Sequence, residues 1–127
     1  AILRKIGDKS GEGTTLNNIS QIYDSRGDYA TALDYLQQSL AIHRAVGDTA
    51  GLCTTLFNMG HIHRQNAERE EAMRLWGETY RIAKKINLAN VLDALKKLAK
   101  QIDLPDGLAG WEKFSPQADE SDIQTKP

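Results

Sequence analysis

Apolar positions recur along this chain at spacings of three and four. In residues 10–26, Leu16, Ile19, Ile22 and Tyr23 form one stripe, and that period predicts a helix. The same pattern predicts helices over 29–45, with Tyr29, Ala32, Leu33, Leu36, Leu40 and Ile42 inward, and over 50–66, with Leu56, Met59, Ile62 and His63 inward. A fourth follows over 69–85, with Ala72, Met73, Trp76, Tyr80 and Ile82 inward, and a fifth over 88–102, with Val91, Leu92, Leu95, Leu98, Ala99 and Ile102 apolar. Gly27, Gly47 and Asn87 stand at the boundaries, where a left-handed residue can close a helix. Asp8, Asp28 and Asp48 each follow a glycine and are expected to cap the helix that comes next.

The pattern repeats. Adding forty to Gly7, Asp8, Gly11, Thr14, Thr15, Leu16, Asn18, Ile22, Ala32 and Ile42 lands on the same residue type each time, ten identities in forty aligned pairs. A fixed period of this size is the mark of a stacked-repeat architecture. The expected organisation is a remnant of a preceding unit at 1–6, repeats at 7–46 and 47–86, a capping helix and short turn at 87–114, and a polar tail at 115–127. Lys96, Lys97 and Lys100 give the fifth helix a charged outer side, which suits the end of a solenoid.

The stretch GDYATALDYLQQSLAI, with Leu16, Asn18, Ile19 and Tyr23 before it, resembles the tetratricopeptide repeat, a hairpin of two antiparallel helices. Ala32 and Ala72 fit the small position where such helices cross. The forty-residue spacing is similar to the longer variant found in kinesin light chains and Leu-Gly-Asn repeat scaffolds. The second unit departs in places: Ala67 replaces the turn glycine, His63 the tyrosine and Arg69 the following aromatic, while Ser20 stands where Gly60 keeps the preferred glycine. The resemblance implies an all-α, α-α superhelix, and it implies protein binding on a concave face lined by the first helix of each pair.

Composition removes several other classes. The formal net charge of −1 gives no general attraction to nucleic acid or an acidic membrane. No apolar run approaches the roughly 20 residues of a membrane span. The single cysteine, Cys53, permits no internal disulfide and suits a reducing compartment such as the cytoplasm. Cys53 lacks a base partner, His61 and His63 point to different sides of one helix, and no phosphate-binding glycine loop is present. We therefore expect no enzyme, no cofactor and no metal. His43 is expected at the surface.

The candidate peptide-binding residues are Asn17, Asn18 and Gln21 in the first unit, and Phe57, Asn58, His61, Arg64 and Gln65 in the second. Asn18 and Asn58 share one register, and a carboxamide offers donor and acceptor together. The resemblance implies the same role, since an asparagine at this position commonly contacts peptide backbone in related repeats. His61, Arg64 and Lys97 would draw an acidic group toward the second unit, and the tail, with Asp119, Glu120 and Asp122, is a candidate occupant. Self-association through an exposed N-terminal face or through the tail, and service as the regulatory domain of a larger signalling protein or enzyme, are the alternatives.

Overall fold

The computed structural model describes residues 2–114, with side chains from Asp8 onward. Five α-helices follow one another: α1 (Ile2–Ser25), α2 (Tyr29–Val46), α3 (Thr49–Gln65), α4 (Arg69–Ile86) and α5 (Ala89–Gln101). A 3-10 helix, Gly107–Lys113, ends the described chain. The described residues contain helices and turns and no strand, as the periodicity predicts. α1 pairs with α2 and α3 with α4; α2 also packs on α3, and α5 and the 3-10 helix close over α4.

One turn chemistry makes every boundary. Residues in the left-handed region stand at Gly27, Gly47, Ala67, Asn87 and Asp103. In each case the next amide reaches back five residues: Asp28 to the Tyr23 carbonyl, Asp48 to His43, Glu68 to His63, Leu88 to Ala83 and Leu104 to Ala99. These bonds satisfy carbonyls that a helix end would otherwise leave orphaned. The carboxylates of Asp28 and Asp48 then accept from Thr31 and Gly51 amides and start α2 and α3. Asp8 does not cap: α1 runs without a break from Ile2 through Gly7 and Asp8. Glycine permits a left-handed turn but does not impose one. Residues 2–6, part of the expected remnant, are therefore continuous with the first repeat in backbone.

The core has two parts. Ala32, Leu36, Leu56, Met59, Ile62 and Leu75 fill the junction between the hairpins. Cys53, Ala72, Trp76, Tyr80, Val91, Leu95 and Trp111 fill the second hairpin and its cap. Trp111 is fully buried and its indole nitrogen donates to the Leu95 carbonyl at 2.9 Å. The 3-10 helix thus sets one aromatic plug against both α4 and α5, where Trp111 meets Trp76 edge to face.

Only a quarter of the aligned positions are identical, yet the units pack alike because volume is exchanged between helices. In the first unit His43 on α2 lies against Gly13 of α1 and Gly51 of α3, where an added Cβ would come within 2.8 Å and 2.4 Å of the imidazole. The equivalent triad forty residues on is Ala83, Cys53 and Val91, all buried together. A large residue on the second helix with two glycines has become a small one with two larger neighbours. Ser20 with Leu36 and Gly60 with Trp76 repeat the exchange; at Gly60 a Cβ would stand 2.3 Å from the indole nitrogen.

Three sequence expectations change here. His43 is buried, 2% exposed, and not a surface residue. Ile22 is 52% exposed although its counterpart Ile62 is buried, because α1 has no second helix on its outer side among the described residues. His63 is not an aromatic core residue; it is part-exposed beside Glu68 at 3.1 Å. The tail expected at 115–127 lies outside the described residues.

Candidate functional site

A pocket of about 360 Å³ opens where α1, α3 and the start of α5 meet. Amides and hydroxyls line much of it, Thr14, Asn18 and Gln21 from α1, Thr54 and Asn58 from α3, and Asn90 from α5, beside the apolar Ala50 and Leu88. Helical spacing explains the gathering, since residues three and four apart share one helix face, and α1 and α3 present the same register of that face.

Beneath the walls runs a chain of hydrogen bonds that ties three helices. Asn58 donates to Asn17 Oδ1 at 3.0 Å. Asn17 donates in turn to Thr55 at 2.8 Å and Ser39 at 3.3 Å, and Ser39 donates to the Gly13 carbonyl at 2.8 Å. Asn17 is 7% exposed. It is therefore the buried hub of this network, with little of its amide left for a ligand. Buried polar groups of this kind hold a structure only when fully partnered, and these are. Asn58 is shared, half network and half pocket wall. Asn18 and Gln21 are exposed on the wall.

The floor holds Asp48 and His43. Asp48 Oδ1 accepts from the Gly51 amide and Oδ2 from the Ser10 hydroxyl. The Ser10 hydrogen bond, opposed in part by burial and helped by Gly51 and His43, holds the Asp48 carboxyl below the usual carboxylate range. His43 Nδ1 stands 3.0 Å from the same Oδ2, an ion-pair distance. The approach is not aligned as a hydrogen bond, and Nδ1 is buried without a partner among the described residues.

The other four predicted residues lie apart from this pocket. Phe57 and His61 meet edge to face at 4.6 Å between ring centres, and His61 meets Trp76 at 5.2 Å. Burial, then the Arg64 charge, lowers the His61 pKa, so its ring is neutral at neutral pH. Trp76 donates to the Phe57 carbonyl. Gln65 is exposed, with its amide facing the Asp24 carboxylate. Arg64 is exposed. Lys97 pairs with Asp93 on its own helix at 3.1 Å. Cys53 is fully buried and its thiol is pushed up to about 12, chiefly by burial, so it stays protonated. Sequence reasoning missed Asn90, His43 and Asp48 as pocket residues. Asn90 has no asparagine at its repeat-equivalent positions, Ser10 and Ala50, so the repeat gave no signal for it.

Paired helices stacked in register, α1 with α2 and α3 with α4, define a helical-repeat protein. The chain belongs to the tetratricopeptide repeat family: the family's model matches residues 1–45 and 11–85. No curated protein and no solved structure gives a significant match. Repeats of this family are in general protein–protein interaction modules. No helix among the described residues is long and apolar enough to cross a membrane.

Proposed function

We propose that this chain is a non-enzymatic, cytoplasmic interaction module that holds an extended peptide segment of a partner protein across α1, α3 and the edge of α5. The observation that carries this reading is the composition of the pocket wall. Asn18, Gln21, Asn58 and Asn90 are uncharged and offer donors and acceptors in one concavity. Such groups can match the alternating N–H and C=O of any extended backbone, while a preformed wall spares the ordering cost of binding.

Asn18 and Gln21 supply the test, because neither makes a side-chain hydrogen bond within the described residues and both can be truncated without opening the network. The Asn18→Ala, Gln21→Ala double variant should keep its helicity and lose roughly tenfold in affinity for a peptide selected on the wild-type chain, as two hydrogen bonds at about 0.5–1.5 kcal/mol each imply. Calorimetry giving unchanged affinity would remove the groove from the binding surface. Asn58→Ala is a poorer probe, since it also strips Asn17 of a partner.

A further inference from the structure

We propose that the concave pocket selects a cationic side chain, the ammonium of lysine or the guanidinium of arginine on a bound peptide, and that Asp48 recognises it. This deepens the groove reading above and rests on it. The first observation is the charge of the pocket. Its lining includes one carboxylate, Asp48, one imidazole, His43, and neither lysine nor arginine. A concavity lined by a carboxylate and by no lysine or arginine focuses a field that favours a cationic ligand.

The second observation is how that carboxylate is held. The Gly51 amide and the Ser10 hydroxyl fix both oxygens, yet 28% of the side chain remains exposed. An ionised carboxylate offers about four acceptor sites, and these two bonds leave room for a further donor. The third observation is His43. Its imidazole is 2% exposed, lies on the same floor, and keeps Nδ1 without a hydrogen bond beside Asp48 Oδ2. Asp48 Oδ2 thus takes no aligned hydrogen bond from the imidazole and keeps acceptor capacity for an ammonium or guanidinium. Acceptor oxygens of the Asn18, Gln21 and Asn90 amides complete a shell suited to such a group.

The opposite reading, an anion at the first turn of α3, has the helix dipole in its favour. It fails on occupancy: the Asp48 carboxylate already takes that position and would repel a second anion. The cations expected to draw an acidic ligand are also elsewhere. Lys97 pairs with Asp93, His61 is packed and neutral, and Arg64 does not line the pocket.

The test is a positional-scanning library of acetylated, amidated heptapeptides on the wild-type chain, followed by fluorescence polarisation with the best binders. Two variants accompany it. Asp48→Asn removes the charge but keeps a residue that caps as well as aspartate. Asp28→Asn makes the same change at the α2 cap, outside the pocket. Lysine or arginine should be enriched at one position; Asp48→Asn should lose that preference and bind those peptides about tenfold more weakly, as a hydrogen bond to a charged group implies. Asp28→Asn should stay within about twofold. Enrichment of acidic or only apolar residues, an undiminished affinity in Asp48→Asn, or an equal loss in Asp28→Asn overturns the inference while leaving the groove reading intact. A library in which no peptide binds at all overturns both.

Discussion

Gly11 and Gly51 are the same residue in the same register of the repeat, and replacing each with alanine should have opposite results. Alanine in place of glycine favours a helix by up to about 1 kcal/mol. At Gly11 nothing lies within 4 Å of the new methyl, so that gain should appear nearly whole. At Gly51 the methyl would meet His43 Nδ1 at 2.4 Å and Asp48 Oδ2 at 2.6 Å. The ring is buried and the carboxylate is a helix cap, so neither moves freely. Overpacking costs about 1–3 kcal/mol; contacts this short put the cost near the top of that range, for a net loss of about 1–2 kcal/mol. Urea titrations followed by circular dichroism should show Gly11→Ala with a raised midpoint. Gly51→Ala should be lowered by roughly 0.5–1 M, using a slope typical of small domains. Adding His43→Ala should remove most of the Gly51→Ala penalty, a coupling of about 1 kcal/mol or more. The reasoning is refuted if Gly51→Ala is as stable as the wild type, or if its penalty persists undiminished without the imidazole.

Asn17→Ala should cost about 1–3 kcal/mol in the same assay, because it leaves Asn58, Ser39 and Thr55 short of partners; a neutral result would deny the hub role. Trp111→Ala should cost about 3–5 kcal/mol and make Leu95 and Trp76 amides exchange faster; hydrogen exchange restricted to residues after 104 would show that the plug does not support the second hairpin. Cys53 gives a pH signature. Its folded pKa is raised from 9.0 to about 12, so the unfolded thiol ionises first as pH rises. Its contribution to stability is complete below about pH 9 and is lost toward pH 12, with a slope of up to about 1.4 kcal/mol per unit. Comparing chemical denaturation at pH 8 and pH 10.5 should show this loss in the wild type and a smaller one in Cys53→Ala.

The helices and their boundaries were legible because one chemistry writes each boundary: a left-handed residue followed by a residue whose amide turns back. Where the chain departs from glycine, at Ala67 and Asn87, the period still marks the place. Asp8 was misleading because the glycine before it permits a left-handed turn without imposing one, and α1 runs straight through. Burial was harder to read. His43 has an alanine at its equivalent position, and only the two glycines facing it, Gly13 and Gly51, explain how an imidazole fits inside. Those glycines are distant in sequence and lie on two other helices, so no local pattern announces the triad. The site was legible as a face but not as a cavity. Asn17 and Asn18 are adjacent in sequence, yet one is the hub of a buried network and the other is open to a ligand. Phe57 and His61 were placed on the groove by register, and the aromatic partner that draws them to Trp76 comes from another helix.

The exchange of bulk between helices has a genetic consequence. Two tandem copies invite unequal crossing-over, and the outcome depends on where the break falls. A join that unites the first helix of the second copy with the second helix of the first would set Cys53 against His43 and crowd the hairpin. The reciprocal product would set Gly13 against Ala83 and leave it hollow. Whole copies can therefore be gained or lost at their borders, whereas hybrids spliced through the middle should be eliminated at the level of folding.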